Sequence, residues 1–356
     1  MSRKIVVTGG AGFVGSNLVA SLLDHGHQVV VFDSLARPGS ELNLLWLQSH
    51  YPGLEHVQGD VRDAEAVSDI VSRADVVYHL AGQVAVTTSV NDPRTDFDIN
   101  AFGTFNVLEA ARQSRKQPTV VFTSTNKVYG GIEDVAVAER PTRYEFPDLP
   151  DGISEAQPLD FHSPYGCSKG AADQYVRDYA RIYDLPAVVF RMSCIYGPRQ
   201  FGNEDQGWLA HFIIASVMGR PITIYGDGKQ VRDVLFVEDL VRAFHLAAEK
   251  IETTAGQVYN IGGGSANALA VWTDFAPILE ELMGRAPEAS FGDWRPGDQR
   301  CYVSDIRKAS RDLNWWPNVD KRTGIGRLWE WVSLNRSMFE AIQAGGFAEV
   351  LKGAVL

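Results

Sequence analysis

Lys4-Ile5-Val6-Val7-Thr8-Gly9-Gly10-Ala11-Gly12-Phe13-Val14-Gly15 reads as an apolar strand that runs into a glycine-spaced turn and then a helix. Gly9 permits the tight turn, Gly12 lets the backbone approach a pyrophosphate, and Gly15 allows the helix to pack close to the strand. Phosphates would then rest on the free N–H groups at the helix N-terminus, around Phe13 and Val14. A glycine triplet alone also fits a plain strand–helix turn. The second strand strengthens the ligand reading, because it ends in Asp33 about two dozen residues on. A carboxylate there accepts hydrogen bonds from ribose hydroxyls and repels a 2′-phosphate, so the expected cofactor is NAD rather than NADP. Asp60 and Val61 after the third strand, and Leu80 and Ala81 after the fourth, are expected at the same cofactor edge. Asp63 alone reads equally well as a helix N-cap.

Outward from this turn, apolar runs at Lys4–Thr8, Gln28–Asp33, Glu55–Gln58, Val76–His79, Val120–Thr123 and Ala187–Arg191 alternate with helical patterns. The helical patterns cover Phe13–His25, Ala64–Ser72, Asp98–Gln113 and Ser168–Tyr183. Such alternation predicts an α/β fold, a Rossmann-type doubly wound parallel sheet with the ligand at its carboxyl edge. Beyond about residue 192 Gly, Pro and aromatic residues become commoner and the elements shorter. A helix over Asp239–Lys250 and a strand over Val258–Ile261 are expected, the strand returning to the sheet. The expected division is an NAD-binding domain over 1–192, rejoined by part of 235–262, and a smaller mixed α/β C-terminal substrate-binding domain over 193–340. Ile132–Gln157 lacks periodicity and reads as a long loop near the site.

The chain has 356 residues and a net charge of −11, with no run of lysines or arginines. That balance argues against nucleic-acid or acidic-membrane partners and leaves room for a phosphorylated substrate met by a few placed arginines. No stretch is long and apolar enough to span a bilayer, and no secretory signal pattern opens the chain. Three cysteines without metal-ligand spacing read as reduced thiols, so a cytoplasmic protein without a metal is expected.

Tyr165 and Lys169 stand four residues apart at the start of a helix, hence on one face. A free tyrosine titrates at about 10, too high for a base at neutral pH. A neighbouring ammonium and a positive nicotinamide favour the phenolate, which could take a proton from a substrate hydroxyl as hydride leaves the carbon. Lys169 is also expected on the nicotinamide ribose. Without the dinucleotide motif, the same pair reads as surface decoration. At the end of the fifth strand Thr125, with Ser124 next, is expected to hydrogen-bond the reacting oxygen.

Together these motifs resemble the extended short-chain dehydrogenase/reductases that act on nucleotide-linked sugars. The resemblance spans almost the whole chain and includes Asn100 in Asn100-Ala101-Phe102-Gly103-Thr104, Tyr196-Gly197-Pro198, Arg232-Asp233-Val234 and Arg295-Pro296-Gly297-Asp298. It implies that Arg232 and Arg295 face a substrate diphosphate and that Asn100 supports the active-site strand and helix. On the residues alone, each arginine could equally be a surface group. The family's 4,6-dehydratases carry Asp-Glu directly after the active-site threonine; this chain has Asn126 and Lys127, which argues against dehydration. Cys194 stands where many members place an asparagine.

Three stretches, Ser124–Gly130, Leu159–Tyr175 and Arg199–Phe201 with Asp205–Trp208, resemble more narrowly the members that invert carbon 2 of a CDP-linked 3,6-dideoxyhexose. This implies a nucleotide-sugar substrate with Lys127, Cys194, Arg199, Arg232 and Arg295 on its side. It also implies epimerisation through a transient ketone with NAD regenerated in each cycle, and a homodimer or homotetramer. The alternatives are UDP-hexose 4-epimerisation and, less in keeping with the intact Tyr165 and Lys169, a non-catalytic NAD sensor.

Overall fold

The computed structural model describes residues 2–295 and 298–344; Pro296 and Gly297 of the arginine motif lie outside the described residues. Along the first half run β1 (Lys4–Thr8), α1 (Phe13–Asp24), β2 (Gln28–Asp33), α2 (Ser40–His50), β3 (Glu55–Gln58), α3 (Ala64–Val71) and β4 (Val76–His79). Next come α4 (Val86–Asn91), α5 (Pro93–Phe97), a π-helical turn at Asp98–Phe102, α6 (Gly103–Gln113) and β5 (Thr119–Thr125). A 3-10 turn over Asn126–Tyr129 leads to a short antiparallel pair, β6 (Ala138–Glu139) and β7 (Tyr144–Glu145), then α7 (Ser163–Tyr183) and β8 (Ala187–Met192).

Strands β1–β5 and β8 join a seven-stranded parallel sheet in the order β12-β8-β5-β4-β1-β2-β3, with β12 spanning Val258–Ile261. The order reverses between β1 and β4, which is where open α/β sheets bind ligands. Side chains alternate between the two faces with period two, so each strand feeds two cores. Ile5, Val7, Val29, Val31, Val76 and Tyr78 enter one core. Val6, Val30, Phe32, Val77, Val120 and Phe122 enter the other. Burial on both faces explains why these strands read as unbroken apolar runs.

The second set of elements comprises β9 (Cys194–Tyr196), α8 (Trp208–Val217), β10 (Ile222–Tyr225), β11 (Val231–Phe236), α9 (Val237–Glu249), β13 (Ala268–Ala270), β14 (Ala289–Gly292) and β15 (Cys301–Tyr302). Strand β11 is its hub. Its first half pairs with β13 and β15, and its second half with β9. A separate aromatic-rich core, including Phe212, Phe236, Phe275 and Leu328, packs around α8.

The segment expected as a loop, Ile132–Gln157, is tied down rather than free. Ile132, Tyr144, Phe146 and Ile153 are buried together with Tyr129 and Tyr302, and Ile153 N donates to Val303 O at 2.7 Å. Helix α7 begins five residues before the expected start, with Pro164 in its first turn. The predicted helix Asp98–Gln113 is instead a π-helical turn followed by α6. No helix of the described residues is long and apolar enough to cross a membrane, and all three cysteines are free thiols.

Candidate active site

Local chain geometry at the end of β1 builds a phosphate cradle. Gly9 has φ +69°, and a Cβ there would stand 2.7 Å from Ala81 N. A Cβ on Gly15 would stand 2.1 Å from Gly9 O. Only hydrogen at both positions lets the Leu80–Ala81 backbone and helix α1 close on the turn. Leu80 N donates to Thr8 O at 3.1 Å and Ala81 N to the Thr8 hydroxyl at 3.3 Å. Gly12 caps α1 with no side-chain capping bond, so Phe13 and Val14 begin a helix whose N-terminus faces outward uncapped. Asp33 closes β2 over the same turn. Its carboxylate accepts from Ala11 N at 2.9 Å and Leu35 N at 2.8 Å, and burial raises its pKa. This arrangement fits a dinucleotide with a free ribose 2′-hydroxyl.

Asp60, expected at the adenine edge, is engaged by Arg62, whose Nη2 lies 2.6 Å from Asp60 Oδ2. That ion pair holds its carboxyl below the usual range. Val61 is buried against Gly103, and its carbonyl accepts from Asn106 Nδ2 at 3.0 Å. Val61 therefore shapes the wall through its backbone neighbours.

Helix α7 presents Tyr165 and Lys169 to the end of β5. Ser89 in α4 anchors the helix start by accepting from Tyr165 N at 3.1 Å. Burial pushes the Tyr165 hydroxyl up to about 12, with Thr125 beside it acting in the opposite direction. Lys169 Nζ donates to Thr123 O at 2.6 Å and stands 4.4 Å from the centre of the Phe122 ring. Burial pulls its ammonium down to about 8. Ser124 Oγ is buried without a protein partner. Asn100, in the π-helical turn, accepts from Gln83 N at 2.9 Å and donates to Gln83 O, Asp96 Oδ1 and Ser168 Oγ, each at 3.1 Å. It thus ties the segment after β4 to α7, in keeping with the supporting part the resemblance implies.

On the other side of Thr125, the 3-10 turn carries Lys127. Among the described residues its ammonium bonds Gln299 Oε1 alone, at 3.4 Å, and burial lowers its pKa, with Arg232 adding to the effect. Cys194 and Asp298 share this neighbourhood, and burial raises the Cys194 thiol. Arg232 pairs with Asp298 at 2.6 Å. Arg295 stacks over Tyr225 at 4.0 Å and donates to Glu204 O at 2.9 Å, with Asp205 at 3.7 Å.

Arg199 departs from expectation. Its guanidinium stacks on Trp46 of α2 at 4.0 Å and bonds Asn17 of α1. The residue has φ +67°, and this backbone turns the side chain toward the first two helices rather than toward Lys127. Sequence reasoning missed Gln299, which bridges Lys127 and Gly130 O, and Asp96, which the short helix before Asn100 hides in what looks like a solvated turn.

Residues 5–262 match the NAD dependent epimerase/dehydratase family. The chain belongs to this family. The epimerase/dehydratase chain is 44% identical over 337 residues to the CDP-paratose 2-epimerase of Salmonella typhi, covering 93% of this chain and 99% of that protein. Among solved structures it resembles the UDP-glucose 4-epimerase of Thermotoga maritima with UDP-glucose, at TM-score 0.80 and 31% identity, over 94% of this chain and 99% of that one. It also resembles a dTDP-glucose 4,6-dehydratase of Streptomyces venezuelae with NAD bound, at TM-score 0.81 and 29% identity, over 95% and 99%. It is accordingly an enzyme with the parallel-sheet fold of these epimerases and dehydratases.

Proposed function

We propose that the chain is a nucleotide-sugar 2-epimerase that uses NAD to convert CDP-paratose to CDP-tyvelose through a transient keto-sugar. The observation that carries this reading is the 44% identity along nearly the full length with a CDP-paratose 2-epimerase. Asn126 and Lys127 support it, since neither supplies the acid and base that elimination of water needs.

NAD, when bound, would accept hydride from the sugar carbon and return it to the opposite face. The Gly9–Val14 cradle and Asp33 would hold it, with Asp60, Val61, Leu80, Ala81 and Asn100 along the edge and Lys169 on the ribose. Tyr165 takes the proton of the sugar hydroxyl and later returns it. Its high resting pKa means that the proton leaves only with help from added positive charge and from Thr125. Ser124, with no protein partner, is free to bond a ligand group. Arg232 and Arg295 hold the diphosphate, while Lys127 and Cys194 contact the sugar. Arg199 fixes the loop that follows β9 against α1 and α2. Residues 1–192 with 235–262 form the cofactor part and 193–340 the substrate part of a cytoplasmic enzyme.

Self-association is part of the proposal. Phe102, Phe105, Tyr175 and Tyr183 are exposed on the face shared by α6 and α7, in a chain of ring contacts 4.9 to 6.4 Å apart. A second copy is the expected cover. Sedimentation velocity should show a dimer or tetramer that Tyr175→Glu dissociates.

The deciding experiment is proton NMR of CDP-paratose incubated with the purified protein. Signals of the C2 epimer without accumulating NADH are expected. Conversion of UDP-glucose at C4 alone would replace this reading with the 4-epimerase one.

A further inference from the structure

We propose that Asp96 is a positioning residue of the hydride-transfer site, a buried ionised carboxylate that provides the counter-charge for Lys169 beside Tyr165. This rests on the reading of that pair as the proton-handling groups. Asp96 has no exposed surface. Its oxygens accept from Ser168 Oγ at 2.5 Å, Gln83 Nε2 at 2.9 Å and Asn100 Nδ2 at 3.1 Å. Gln83 and Asn100 donate to Oδ1 and Ser168 meets Oδ2, an arrangement that a carboxylate satisfies, and none of the three is cationic. Burial raises the Asp96 pKa, while the bonds from Ser168 and Gln83 and the charge of Lys169 lower it. Asp96 at the end of α5 and Asn100 in the π-helical turn stand four residues apart and share one inward face. The Asn100 arm ends beside the lysine: a Cβ on Gly82 would stand 3.0 Å from Asn100 Oδ1 and 3.9 Å from Lys169 Nζ.

The other charges around the pair do not substitute for it. The field of Asp173 reaches Lys169 more strongly than that of Asp96, but Arg191 takes both Asp173 oxygens at 2.8 Å in a fully buried pair. His79, at the end of β4, is held neutral by burial, which pushes its pKa down to about 3. Arg37 acts on Tyr165 with opposite sign. Asp96 remains as the carboxylate beside the pair that bonds no cation among the described residues. It favours the Lys169 ammonium and disfavours the Tyr165 phenolate.

The signs give a distinctive test. Asp96→Asn keeps the shape and removes the charge. The phenolate then forms more readily, so the acidic limb of the pH profile moves down. The ammonium is lost more readily, so the alkaline limb moves down too. A shift of about half a unit or more on both limbs is expected. The measurement is a tyrosinate absorbance titration of the NAD-loaded protein, beside the pH dependence of kcat. Ser168→Ala, which keeps the carboxylate, should lower Tm and leave both limbs in place. If Asp96→Asn lowers Tm and activity with neither limb moved, Asp96 is merely structural and the proposal fails. Carbon-detected NMR of the unmodified protein gives a check independent of any variant. Asp96 must be ionised at pH 7, and a protonated acid there overturns the idea. The titration reads the pair whichever sugar is the substrate, so failure to convert CDP-paratose would count against the proposed reaction and not against Asp96.

Discussion

The turn after β1 and the arginines around β11 are both assigned to phosphate, and they prepare for it in opposite ways. At the turn, backbone N–H groups stand uncapped at the head of α1, and the Asp33 carboxylate is occupied by Ala11 and Leu35. Those N–H groups carry no side-chain cap that an anion would have to displace. Around β11, by contrast, Arg232 is paired with Asp298, and Arg295 with Glu204 and Asp205. Those cations must exchange partners to hold a diphosphate. On the proposed assignments, the cofactor end is uncapped in advance, whereas the substrate end is gated by its own carboxylates. That difference suits an enzyme that keeps one ligand through many cycles while the other comes and goes.

The largest expected effect lies between the two ends. Tyr165→Phe removes the proton acceptor without touching either phosphate site. A fall in kcat of about 10²- to 10⁴-fold is expected, with NAD and CDP affinities unchanged by calorimetry. Loss of either affinity would show that Tyr165 belongs to a binding region and would blur the contrast.

Next comes the scaffold behind the preformed end. Asp173→Asn leaves the Arg191 guanidinium buried without its carboxylate partner, beside the Tyr129 hydroxyl at 3.1 Å. A loss of about 3–5 kcal/mol in unfolding free energy is expected, read from urea denaturation. A smaller loss would mean that the region relaxes more than its burial suggests.

At the cradle itself, Gly9→Ala forces a side chain into a left-handed backbone and onto Ala81 N. This should cost about 1–3 kcal/mol and weaken NAD binding while leaving CDP binding intact. Equal damage to both would erase the distinction between the two ends.

Much of the preformed end was legible because its information is local. The ends of β1–β4 fall where alternation and turn residues put them, and β5 runs only two residues past its expected end. Tyr165 and Lys169 share a face because four residues make one helical turn. Helix α2 went unread: its start is Gly39 at φ +91° with no side-chain cap, so the usual Ser, Thr or Asp signal is missing. Asp96 was invisible for a different reason. After Asp92-Pro93 it looks like a solvated first-turn acid, and only the π-helical register and contacts from Gln83 and Ser168 bury it. Arg199 misled because motif position carries no information about backbone sign. The pairings of Arg232 and Arg295 join residues 66 to 91 positions apart, which no local pattern encodes.

The smallest effect is the sharpest test of gating. Arg295 and Glu204 are both partly exposed, 31% and 53% by side chain, so solvent screens their attraction and an exposed pair contributes only about 0.2–1 kcal/mol. Glu204→Gln should free the guanidinium while keeping the side chain's length. If the diphosphate competes with Glu204, affinity for CDP rises by up to about fivefold, and the gain shrinks at high salt as screening removes what the carboxylate was opposing. The same substitution should leave NAD affinity unchanged, because the cradle has no such partner to displace. Calorimetry of both ligands at two salt concentrations separates the outcomes. A drop in CDP affinity would mean that Glu204 orients Arg295 for the ligand instead of competing with it, and the substrate end would then count as preformed too.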